Sequence, residues 1–119
     1  MIGIGVDIYS ISKFARIFKE EFANKYFTDS EKSYLRGKNS SYFQSACGIF
    51  CAKEAFFKAL GSGIAYPMKE ISVEHDDLGK PYFKVIGSIN SRLNELQAKA
   101  IHLSISHDED NVVAFAIIE

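Results

Sequence analysis

Asp7, Glu54 and Lys58 are the residues whose types and settings could do chemistry. Glu54 and Lys58 stand in Phe50-Cys-Ala-Lys-Glu-Ala-Phe-Phe-Lys-Ala-Leu-Gly61, a segment apolar on almost every side. From Ala46 to Leu60 the only charged residues are Lys53, Glu54 and Lys58. Glu54 and Lys58 are four apart and share a helix face with Phe50 and Phe57. A carboxylate buried there is costly unless it is paired or coordinated. An internal Glu54–Lys58 ion pair is one solution. A second brings in Asp7, which also arrives from an apolar stretch. Two such carboxylates repel unless a cation lies between them. Few protein ligands and oxygen-only donors suit Mg²⁺, which keeps waters and recruits substrate phosphates. Lys58, one turn beyond Glu54, then faces those phosphates. Carboxylates, Mg²⁺ and Lys together describe phosphoryl transfer. Gly61, Ser62 and Gly63 add backbone N–H donors for phosphate oxygens.

The elements that position these groups follow from periodicity. Ile2, Ile4 and Val6 alternate with Gly3 and Gly5, which predicts a short strand with one bare face. Asp7 closes that strand on the bare face. Ser10 or Ser12 then opens one helix, with Phe14, Ile17, Phe18 and Phe22 on one side and Lys13, Arg16 and Lys19 on the other. Thr28-Asp-Ser-Glu31 has the capping-box pattern and begins a short helix ending near Gly37. Ser41-Tyr-Phe-Gln44 repeats the pattern and begins a long helix that stops at Gly61. Glu70 to His75 and Tyr82 to Ile86 form a hairpin, and Ser88 to Lys99 an amphipathic helix. Ile101 to Ser106 and Val112 to Ile118 are strands around a polar turn, His107 to Asn111. The order β-α-α-α-β-β-α-β-β, with two hairpins, gives the α+β class with a largely antiparallel sheet packed with helices. The 119 residues suit a single domain, 1–119.

Composition excludes several classes. A formal net charge of −1 argues against a nucleic-acid or membrane-surface binder. A base-stacking module needs a basic aromatic sheet face, and the first hairpin offers only Tyr82, Phe83 and Lys84. Cys47 and Cys51 sit four apart on one helix, too far apart for easy bridging. They read as small core residues and fit a reducing compartment. No N-terminal signal segment or long apolar run is present, so a cytoplasmic location is expected. Among enzymes, hydrolysis of a nucleotide pyrophosphate would use the same Asp7, Glu54 and Lys58.

Four blocks carry a resemblance to a known family. "GIGVDI" (Gly3 to Ile8), "FCAKEAFFKALGSGI" (Phe50 to Ile64), "GKPYF" (Gly79 to Phe83) and "LSISHD" (Leu103 to Asp108) resemble the holo-[acyl-carrier-protein] synthases, small bacterial phosphopantetheinyl transferases. The resemblance implies their fold and transfer of the 4′-phosphopantetheine arm of coenzyme A to a serine of apo acyl carrier protein. Adenosine 3′,5′-bisphosphate is released, and the reaction serves fatty acid biosynthesis. It implies that Asp7 and Glu54 hold Mg²⁺ with the pyrophosphate, and that Glu54 and Lys58 are catalytic. Ser106 and His107 would lie against the nucleotide end of coenzyme A, and Gly61, Ser62 and Gly63 would line the same site. The family's small members are homotrimers with active sites between subunits, and an acidic carrier docks on the first helix, here Lys13, Arg16 and Lys19. One departure stands out: the family usually has Arg where this chain has Ile49. Lys53, or a basic residue of a neighbouring subunit, is the expected substitute at the phosphate. His75 and His102 receive no role, and Asp108, Glu109 and Asp110 read as a solvated turn.

Overall fold

Glycine decides how the longest helix meets the first strand. In the computed structural model, which describes residues 1–119, the chain runs β1 (Gly3–Ser10), α1 (Ile11–Ile17), α2 (Glu20–Tyr26), α3 (Asp29–Arg36) and α4 (Tyr42–Leu60). It continues through β2 (Ile71–His75), β3 (Pro81–Val85), α5 (Gly87–Glu95), β4 (Ile101–Asp108) and β5 (Asn111–Ile118). A Cβ on Gly3 would lie 1.7 Å from the Ala59 carbonyl oxygen, and one on Gly5 2.0 Å from that of Ala55. The bare face predicted for β1 is therefore where α4 lies, backbone against backbone. Asp7 shares that face. It sits within β1 rather than at its end, opposite Ala114, because β5 pairs with every residue from Gly3 to Ser10.

All strand pairs are antiparallel, as a three-stranded sheet β1-β5-β4 and a separate hairpin β2-β3. One apolar core joins them, with α4 at its centre contributing Cys47, Ile49, Cys51, Phe56 and Phe57. Each buried Phe contributes roughly 1.5–3 kcal/mol relative to exposure. Both cysteines are free and buried, as expected of small core residues.

Five local expectations are corrected. The first helix breaks at Phe18, whose ψ of 78° leaves the helical region. That turn puts the Phe18 ring 5.0 Å from Phe14 and 4.9 Å from Phe27, so ring packing outweighs helical continuity. The capping box at Thr28 and Glu31 forms, whereas Ser41 makes no side-chain cap. α5 stops at Glu95, ahead of Gln97 at φ 58°. His107 and Asp108 belong to β4, and only Glu109 and Asp110 turn. Asp110 is not merely solvated: it accepts bonds from Ser10 Oγ at 2.6 Å and from Ser12 N at 3.0 Å, fastening the turn to the start of α1.

Candidate active site

The close seating of α4 on β1 brings Asp7 to Lys58. The Lys58 ammonium lies 3.1 Å from Asp7 Oδ1 and donates to the Val6 carbonyl at 2.9 Å. The ion pair expected between Glu54 and Lys58 is thus replaced by one between elements. Asp7 Oδ2 is buried and has no hydrogen-bond partner. Glu54, half-buried on α4, forms no ion pair. Burial first, and then the Asp7 charge, push its carboxyl above the usual range, with Lys58 opposing. Two carboxylates are therefore held together with one half-exposed ammonium between strand and helix.

That arrangement is short of positive charge. An orphaned buried carboxylate oxygen beside a second, half-buried carboxylate is a fitting donor set for a hard divalent cation. Nowhere in the chain do three or more His, Cys, Asp or Glu side chains gather to hold a metal. Asp7 and Glu54 would supply two ligand groups, leaving other positions to water and substrate oxygens. Cys51 lies beside Asp7 but is no nucleophile: Cys47, burial and the Asp7 charge all hold its thiol proton more tightly.

Lys53 points elsewhere. Its ammonium is fully enclosed, 2.6 Å from Glu31 Oε1, and donates to the carbonyls of Tyr26 at 2.8 Å and Met68 at 3.2 Å. Glu31 in turn accepts from the backbone N–H of Thr28 and Val73. The expectation that Lys53 replaces the family's Arg is therefore wrong, because its charge is consumed inside the core. Ile49 is itself buried. The sequence signalled Glu31 only as a capping-box residue, not as a buried partner of Lys53.

The remaining candidates are spread around this centre. His107 borders a cavity of about 320 Å³, with Ile49 and Ile105. His75, given no role from sequence, borders the same cavity. Ser106 falls on the opposite sheet face, since neighbours on a strand alternate. Gly61 and Ser62 border a separate open groove against α5. Lys13 and Arg16 are exposed on α1, while Lys19, also exposed, precedes α2 beyond the break. His102 pairs with Glu119 at 2.9 Å.

Comparison with known proteins decides the kinship. A family profile described as the 4′-phosphopantetheinyl transferase superfamily matches residues 3–116. The chain belongs to this family. A holo-[acyl-carrier-protein] synthase of Halothermothrix orenii is 38% identical over 121 residues, covering 98% of this chain and 96% of that protein. The crystal structure of the Neisseria meningitidis holo-[acyl-carrier-protein] synthase is similar at TM-score 0.91 and 35% identity, covering 100% of this chain and 99% of that one. A Bacillus anthracis holo-(acyl-carrier-protein) synthase, solved in complex with CoA (3′,5′-ADP), is similar at TM-score 0.83 and 31% identity, covering 98% and 95%. The phosphopantetheinyl transferase fold of these structures is the α+β fold described above.

Proposed function

We propose that this chain, as one domain of residues 1–119, is a holo-[acyl-carrier-protein] synthase. It transfers the 4′-phosphopantetheine arm of coenzyme A to a serine of apo acyl carrier protein. The carrier serine oxygen bonds to the phosphorus that bears the pantetheine arm. The bond from that phosphorus to the bridging oxygen breaks, and adenosine 3′,5′-bisphosphate leaves with the electron pair. The observation that carries this reading is the meeting of Asp7, Glu54 and Lys58, with Asp7 Oδ2 buried and unpartnered.

Asp7 and Glu54 are the residues assigned to hold Mg²⁺. When bound, Mg²⁺ neutralises charge on the pyrophosphate oxygens. Lys58, already beside Asp7 and half exposed, swings its ammonium to the leaving phosphate. The serine proton is assigned to Glu54, the half-buried carboxylate of the site that forms no ion pair. His107 and its cavity receive the nucleotide end. Ser106, on the opposite face, and Gly61 and Ser62 of the separate groove, with Gly63 after them, are assigned to the same site across a subunit interface.

A homotrimer is favoured by the outer face of the three-stranded sheet. Ile4, Val6 and Ile8 are 54%, 50% and 64% exposed there, and Phe115 adds to the same face. An apolar face of this kind marks an association surface. The acidic carrier is assigned to Lys13, Arg16 and Lys19. No helix is long and apolar enough to cross a membrane. The two unbridged cysteines favour a reducing, cytoplasmic setting.

The test is the intact mass of apo acyl carrier protein after incubation with this chain, coenzyme A and Mg²⁺. A gain of one phosphopantetheine, lost on chelation and restored by Mg²⁺, is the expected result. Release of adenosine 3′,5′-bisphosphate without a mass gain would point to pyrophosphate hydrolysis instead.

A further inference from the structure

The cavity that His107 borders has a wall that neither the reaction nor the family match assigns. Tyr34 comes from α3 and His75 from the end of β2, and both line it. Their rings stack with centroids 3.9 Å apart and planes within 6°. The Lys38 ammonium sits over the Tyr34 ring, 4.7 Å from its centroid. Tyr34 thus meets both the His75 ring and the Lys38 ammonium, while His75 stacks on no second aromatic ring.

The rest of the cavity tells what the His75 ring can bind. Ile49 and Ile105 give an apolar floor, and Gln44 adds a polar side chain. Ile49 brings no hydrogen-bond donor, so the rings, with the polar side chains of Gln44, Ser45 and His107, are what can orient a flat group there. A volume of about 320 Å³ suits a nucleoside-sized fragment, not a whole coenzyme A. Burial, followed by the neighbouring Lys38 charge, holds the His75 imidazole below its ordinary pKa, with Glu74 and Asp76 opposing. A neutral ring stacks on a neutral base without having to shed a hydration shell.

We infer that His75, clamped against Tyr34, is the stacking surface for the base at the nucleotide end of coenzyme A. It is a substrate-specificity residue of this chain and takes no part in the chemical step. The inference rests on the transferase reading, because that reading places a nucleotide beside His107.

Two measurements test it. Adenosine 3′,5′-bisphosphate is titrated calorimetrically into the wild type, His75→Ala and His75→Phe. The KM values for coenzyme A and for the carrier are measured separately on the same proteins. His75→Ala is expected to weaken nucleotide binding about tenfold and to raise the coenzyme A KM similarly, from the usual worth of one base–ring stack. The carrier KM and the kcat at saturating coenzyme A stay unchanged. His75→Phe, which keeps a flat ring, retains most of the affinity and controls for local misfolding. Wild-type nucleotide affinity in a folded His75→Ala, alongside normal transfer by the wild type, overturns the inference alone. A wild type that transfers no arm overturns the functional reading, and the inference with it.

Discussion

Lys53 and Glu54 are neighbours on α4, yet they belong to two different charged sites. The Lys53–Glu31 site is fully enclosed, and each charge meets its partner and backbone groups. It ties α3, α4, β2 and the end of α2 together. Burial raises the Glu31 pKa and lowers that of Lys53, and their mutual attraction opposes both shifts. The Asp7–Glu54–Lys58 site is open on one side, carries an excess of negative charge and leaves Asp7 Oδ2 unanswered. Complete satisfaction marks a structural joint. A deficit that the chain does not fill marks a place for something else.

The largest effect is expected at the open site. Asp7→Asn and Glu54→Gln are expected to lower kcat/KM for arm transfer at least about a thousandfold, the scale of losing an electrostatic contact to the reacting group. Both proteins should fold. Glu54→Gln should melt higher than the wild type at neutral pH, for a reason of sign. The folded state holds the Glu54 proton more tightly than the unfolded state. Wild-type stability therefore falls as pH rises from the ordinary carboxylate pKa through the raised one, and the glutamine removes that loss. Thermal melts of both proteins from acid to neutral pH check this. A lower melting point for Glu54→Gln at neutral pH would make Glu54 a structural residue.

The enclosed site should respond the other way. Lys53→Ala strands the Glu31 carboxylate in the core and should cost about 3–5 kcal/mol of stability. Urea unfolding measures it. Pairing Lys53→Met with Glu31→Gln should recover most of that loss, and the transfer rate per folded molecule should be near wild type. Activity lost in a well-folded double variant would merge the two sites into one.

The smallest effect sharpens the contrast at the surface. Lys13→Glu with Arg16→Glu should raise the carrier KM about tenfold at low salt, leave the coenzyme A KM alone and fade as salt is added. Steady-state kinetics at two ionic strengths decide it. A salt-independent effect would remove the docking assignment.

Local rules made much of this chain legible before any fold was in view. The glycine-alternating strand, the capping box at Thr28, the Gly61 stop and the two hairpins each depend on residues a few positions apart. So does the clustering of charge on α4, and the four sequence blocks carried the family. Tertiary structure decided which partner each charge takes. Lys58 turned from Glu54, four residues away, to Asp7, 51 residues away. Lys53 found Glu31 and not the phosphate contact expected of it beside Ile49. Phe18 broke a helix that periodicity would have continued. His75 and Tyr34 met only because the β2–β3 hairpin folds beside α3. Burial, close packing and pairing across the fold are long-range terms, and no window of sequence contains them.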